Sequence, residues 1–195
     1  NIGILAGLDK EQKLRLCGSE MKQFSTIENA WLLIEDSRFK DWGTMSEMPS
    51  EGIPSDKTID AGGGAVLPSW CDPHTHIVFA GSREGEFVDK ICGLSYAEIA
   101  KRGGGILNSA DLLHTLSEDE LYSSAMRRVD EIIRKGTGCV EIKSGYGLNT
   151  EDELKMLRVI RRIKETTPLK VKSTFLGAHA VGRGYSQPDY VDLVV

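Results

Sequence analysis

The stretch Cys139-Val140-Glu141-Ile142-Lys143-Ser144-Gly145-Tyr146-Gly147-Leu148 is a short apolar run ending in a serine–glycine turn. Gly138 and Ser144-Gly145 bound the run, and Val140 and Ile142 are β-formers, so it reads as a strand. Downstream, Thr150 and Glu153 have the spacing of a capping box, in which hydroxyl and carboxylate serve each other's backbone N–H. Leu154, Leu157, Ile160 and Ile163 then recur at helical spacing as an inward face, and Pro168 closes the helix. Lys170 to Leu176 alternates as a second strand and runs into Gly177-Ala178-His179-Ala180. Upstream, Ser117 and Glu120 form another box, opening a helix through Leu121, Ala125, Val129, Ile132 and Ile133 that Gly136 ends. Helix, strand, helix, strand is the grammar of right-handed βαβ units and a parallel sheet.

Further upstream lies Val66-Leu67-Pro68-Ser69-Trp70-Cys71-Asp72-Pro73-His74-Thr75-His76-Ile77-Val78-Phe79-Ala80-Gly81, which holds two of the four histidines. Pro68 and Pro73 argue against a helix, and in an extended segment Asp72, His74 and His76 share a face. Two converging imidazoles suit a metal ion; the alternative is two polar residues at a turn. Ser95 and Glu98 form a further box, with a short helix to Arg102 stopped by Gly103-Gly104-Gly105. Before residue 61 the pattern is β-rich: a hairpin within Ile27–Gly43 turning at an Asp-Ser pair, a loop from Met45 to Pro54, and a short strand at Thr58–Ala61. The last polar turn, Ser186-Gln187-Pro188, caps a closing helix.

Both a doubly wound sheet and a (β/α)8 barrel fit this order. No Gly-x-Gly-x-x-Gly opens a helix, which weakens the dinucleotide-binding option. In a barrel, active groups sit at the carboxyl ends of strands. His74 and His76, Tyr146 and His179 all fall at or just beyond such ends.

Composition bounds the rest. With 27% charged and 40% hydrophobic residues the chain is globular in type, and its net charge of −5 gives no nucleic-acid surface. No apolar run approaches the ~20 residues of a membrane span. The four cysteines are irregularly spaced and form no C-x-x-C, so they read as free thiols in a reducing cytoplasm. The sequence begins without Met and ends in Tyr190-Val191-Asp192-Leu193-Val194-Val195, so it is expected to be a piece of a longer chain.

The order β-module, Gly-rich turn, then Leu67-Pro68-x-x-x-Asp72-x-His74-x-His76 resembles the amidohydrolase superfamily of metal-dependent hydrolases. Four stretches narrow the likeness: His74 to Arg83, Tyr96 to Ala100 with Gly103 to Ile106, Glu141 to Leu148, and Thr174 to His179. They are similar to the imidazolonepropionases of histidine degradation, over about Ala61 to Val195.

That resemblance implies an α/β fold: residues 1–65 as part of a small β-rich, sandwich-like domain and 66–195 as the first strands of a (β/α)8 barrel. An eight-stranded barrel takes roughly 200 to 250 residues, so about three of its strands fit here. It implies hydrolytic opening of 4-imidazolone-5-propanoate to N-formimidoyl-L-glutamate. His74 and His76 would be two ligands of a single Zn²⁺ or Fe ion, and Arg83, Tyr146 and His179 would contact substrate. The family's remaining ligands and acid/base groups are expected beyond Val195, so this piece alone is expected to be inactive. The alternative reading of Arg83 is an ion pair with Glu84 or Glu86, and that of Tyr146 a ring packing a loop. His114 reads as structural, with nothing ligand-like nearby. Lys143 is read as paired to Glu141, Asp152 or a substrate group rather than as a bridge between two metals. The expected partners are a small-molecule substrate and a homodimer mate, with no nucleic acid and no membrane. Two rival functions stay open: another amidohydrolase, such as a nucleobase deaminase or cyclic-amide hydrolase, and a non-catalytic binding protein on the same fold.

Overall fold

A computed structural model describes residues 1–8, 13, 15–22 and 24–195, and the chain divides into two compact units, Asn1–Pro68 and Ser69–Val195. The fold is mixed α/β.

The first unit is a four-stranded sheet in the order β3-β2-β1-β4, with β1 at Ile2–Ala6, β2 at Thr26–Glu35, β3 at Arg38–Thr44 and β4 at Ala65–Val66. β2 and β3 form the expected hairpin. Asp36 and Ser37 both take positive φ (48° and 60°), the backbone that lets a two-residue turn follow the strands' twist. β1 pairs antiparallel to β2 and parallel to β4. Ile2, Leu5 and Ala30 are buried, with Ile27, Leu32, Trp42 and Val66 against them. The strand expected at Thr58–Ala61 is not formed: Ile59 is exposed, and the chain reaches the sheet only at Ala65.

The second unit carries the parallel sheet, β5 (Trp70–Thr75), β6 (Thr137–Lys143) and β7 (Lys170–Thr174), in that order. Between β5 and β6 run α1 (Glu84–Ile91), α2 (Tyr96–Lys101), α3 (Ile106–Thr115) and α4 (Glu118–Arg134); α5 (Thr150–Thr166) links β6 to β7, and α6 (Gln187–Val194) follows. Val140, Ile142 and Val171 of the strands meet Leu121, Ala125 and Val129 of α4 and Met156, Val159, Ile160 and Ile163 of α5. Burying this apolar set is what holds the layer together, each large side chain contributing about 1.5–3 kcal/mol. Alternation along β6 sends Glu141 and Lys143 to the opposite face.

Three expectations are corrected here. α5 is capped not by Thr150 but by Asn149, whose side-chain oxygen accepts from the Asp152 N–H at 2.8 Å, while Glu153 turns into the protein. Leu154 is exposed rather than inward; Met156 and Val159 take the buried face. The register of β5 on β6 slips between Asp72 and Thr75, which pair with Val140 and Ile142. That irregularity, at Pro73, breaks the strict alternation placing Asp72 with the two histidines. Instead the Asp72 carboxylate accepts the His74 N–H at 3.1 Å.

Candidate functional site

The carboxyl ends of the parallel strands and the residues just past them bring four rings into one cluster. His74 and His76, from the end of β5, have ring centroids 5.6 Å apart. Tyr146, in the loop after β6, lies 5.3 Å from His76. His179, in the single 3-10 turn Gly177–His179 after β7, stacks on His76 at 5.1 Å with an 18° interplanar angle and lies 5.3 Å from Tyr146. Four of the five sequence-predicted site residues are thus neighbours.

Arg83 is engaged differently. Its Nε pairs with Glu86 at 3.3 Å, and the second Glu86 oxygen accepts the Gly105 N–H at 2.8 Å. This is the ion pair its i,i+3 spacing allowed. The pair lines a cavity of about 320 Å³ with Ser82, Asp89, Arg102 and Asn108.

Burial, reinforced by the neighbouring His179, His74 and Lys143, holds His76 below the usual histidine range against the opposing pull of Glu141. That shift favours the neutral ring, the form that ligates metals. His76 Nδ1 is buried without a hydrogen-bond partner. An orphaned polar atom of this kind costs about 1–3 kcal/mol, and a cation between the imidazoles would satisfy it. The donor chemistry fits a borderline metal ion. Among the described residues no group of three or more His, Cys, Asp or Glu side chains could hold one, so His74 and His76 could supply two of its donors and no more.

Glu141 ties the strand ends together. It accepts from Lys143 Nζ at 2.5 Å and from the Thr75 N–H at 3.4 Å, and Thr75 Oγ1 donates to the Glu141 carbonyl at 2.6 Å. Burial pushes its carboxyl up, but Lys143, Thr174 and Thr75 outweigh that and hold it below the usual range. Lys143 takes the first of its expected partners; Asp152 pairs with Lys155 instead, at 2.6 Å.

His114 keeps the structural role read for it, with partners the sequence did not name. From the end of α3 its Nε2 lies 2.7 Å from the Gly147 carbonyl and 3.5 Å from Asp152, so it braces the loop that carries Tyr146. Sequence reasoning also missed Arg128 and Glu153. The carbonyls that Arg128 serves, of Ile77 and Phe79, lie far away in the chain, and Glu153, which spacing placed in a capping box, instead takes the amides of the loop just before its helix.

Ring side chains gathered at the carboxyl ends of parallel strands define a class: α/β proteins that build their sites on strand ends. No protein-family model matches the chain. It is 56% identical over 197 residues to the imidazolonepropionase of Christiangramia forsetii, covering 100% of this chain and 47% of that protein. It is 52% identical over 183 residues to that of Flavobacterium johnsoniae (93% and 44% covered), and 43% identical over 172 residues to that of Pseudomonas entomophila (87% and 42%). By sequence, these residues belong to the imidazolonepropionase family. The chain spans about half the length of the curated relatives it matches.

Proposed function

We propose that the full chain hydrolyses the cyclic amide of 4-imidazolone-5-propanoate to N-formimidoyl-L-glutamate, a step of histidine degradation. The observation that carries this reading is the cluster of His74, His76, Tyr146 and His179, with the partnerless His76 Nδ1 at its centre, in a chain similar along its length to imidazolonepropionases. On this reading the parallel layer is part of a (β/α)8 barrel beside a small β-rich domain. His74 and His76 hold one Zn²⁺ or Fe ion, with further ligands and the acid/base groups from outside these residues. When bound, such an ion polarises a lactam carbonyl and lowers the pKa of a water towards ~7.

The remaining work falls to this chain's own groups. Neutral His76 supplies a lone pair without competing for a proton. The Tyr146 hydroxyl and the His179 ring orient the polar atoms of the substrate ring. Arg83, once released from Glu86, offers a two-pronged donor to the propanoate carboxylate. Lys143, tied to Glu141, is not free to bridge two metals, which favours a single ion. The reading also includes a reducing cytoplasm, for which the four free cysteines are suited, and a homodimer; no helix among the described residues is long and apolar enough to cross a membrane.

Metal analysis and the ultraviolet loss of imidazolone test this on the full chain. One ion per chain, turnover, and loss of both in His76→Ala are expected. Two ions per chain would overturn the single-metal reading. Arg83→Ala should mainly raise KM; an unchanged KM points to a neutral substrate such as a nucleobase.

A further inference from the structure

Glu153 is only 5% exposed, yet it is an acidic residue in the first turn of α5 with no cation against it in its hydrogen-bond set. Its carboxylate is enclosed by backbone. The Gly145 N–H donates to both oxygens at 3.0 Å, the Gly147 N–H to one at 2.7 Å, and the Leu148 N–H to the same one at 3.3 Å. Three amides on one carboxylate form a nest, the arrangement by which loops commonly grip anions. Here the anion belongs to the protein, and what it grips is the loop between β6 and α5.

That loop carries half of the ring cluster. Tyr146 lies between two of the gripped amides. The Gly145 carbonyl faces His179 Nδ1 at 3.0 Å, so Nδ1 donates the proton and the other ring nitrogen is left as an acceptor. The loop's backbone has little tolerance of its own. Gly145 sits at φ +111° and Leu148 at +53°, and a side chain on Gly147 would run into the Glu153 amide. Without the carboxylate, three amides buried at the strand ends lose their acceptor together, and the loop must move to reach water.

We infer that Glu153 is a positioning residue, which fixes the Tyr146 ring and the His179 tautomer together by clamping the Gly145–Leu148 backbone. The inference rests on the proposed hydrolysis only for its activity readout. Its chemistry is that of an outer partner orienting groups that touch substrate, and losing such a partner typically costs about 10–100-fold.

The test uses the full chain as wild type, Glu153→Gln and Ile160→Ala. The glutamine keeps the shape but turns an N–H₂ group toward donors; Ile160→Ala weakens the same helix from its core side without touching the loop. The expected result is a fall of at least tenfold in kcat/KM for Glu153→Gln, carried mostly by kcat, with Ile160→Ala within about twofold of wild type at equal or greater loss of Tm. The Nδ1-bound proton of His179, read by ¹⁵N-resolved NMR, is expected in wild type and Ile160→Ala and lost in Glu153→Gln. Activity and proton both retained in Glu153→Gln would overturn the inference, as would equal losses in the two variants. A wild type that leaves imidazolone propanoate intact refutes the substrate reading, while the His179 proton still decides the positioning role. If Glu153→Gln does not fold, amide exchange in the wild type decides. Protection of Gly145, Gly147 and Leu148 matching that of β6 upholds the clamp, and free-loop exchange overturns it.

Discussion

Arg128 of α4 donates from Nε to the carbonyl of Ile77, the residue after His76, at 2.8 Å. Its Nη2 reaches the Phe79 carbonyl at 3.1 Å, Nη1 the Ser124 hydroxyl at 3.1 Å, and its guanidinium lies 3.8 Å over the Phe79 ring. One half-buried side chain therefore fixes the course of the chain as it leaves the histidine strand. Only a planar fork can serve both carbonyls and stack at once. Arg128→Lys should lower the unfolding free energy by about 1–3 kcal/mol, since one buried carbonyl loses its donor. Urea unfolding of the full chain should show a lower midpoint at unchanged m. A midpoint equal to wild type would show that the clamp is dispensable.

Asp152 predicts an acid-side loss of stability. Burial pushes its carboxyl up, but Lys155 at 2.6 Å, Asn149 at 2.7 Å and His114 at 3.5 Å outweigh burial and hold it below the usual range. A folded value below the unfolded ~3.9 means that the unfolded chain binds the proton more readily. The contribution is thus present above about pH 4 and is lost as pH falls through the folded value. Asp152→Asn should cost about 1.5–3 kcal/mol at pH 7 and flatten the stability profile below about pH 4. Denaturant melts across that range check the slope; a parallel profile would assign the acid sensitivity to other carboxylates. Lys155 sharpens the expectation, because it also donates to the Leu113 and Leu116 carbonyls and so joins α5 to the end of α3.

The boundary between what the sequence foretold and what it hid follows the range of the interactions. The β2–β3 hairpin, the Ser117–Glu120 box and the buried stripe of α4 are local, and local spacing foretold them. The helix α3 has readable spacing in Ile106, Ala110 and Leu113, but the glycine run before it reads as the stop of one helix and hides the start of the next. At Asn149-Thr150 two good caps are adjacent, and nothing local ranks them. The outcome depends on Glu153, whose amide partners at 145–148 come within reach only when strand, loop and helix fold back together. Pro73 argued in the sequence only against a helix, and the register slip between Asp72 and Thr75 shows its further effect inside a strand. The meeting of His76, Tyr146 and His179 was legible as three strand ends, whereas the stacking of His179 on His76 was not, because their strands do not pair with each other and meet only through β6, which lies between them.

Gly145 offers the most direct separation of loop geometry from loop stability. At φ +111° its backbone is strained for any side chain, and an added Cβ would stand 2.9 Å from His179 Nδ1 and 2.9 Å from the Leu176 carbonyl oxygen. Gly184 has a comparable φ of +85° with nothing within 4 Å. Alanine at either position pays the conformational cost, roughly 1–3 kcal/mol. Only at Gly145 must the Leu176 backbone or the His179 ring also shift. Gly145→Ala is therefore expected to be the less stable variant, and to lower kcat at least tenfold while Gly184→Ala keeps wild-type turnover. Thermal melts and steady-state rates on the two full-chain variants measure both. Equal stability losses would show that backbone conformation alone governs the position, and unchanged turnover in Gly145→Ala would detach the His179 contact from the reaction.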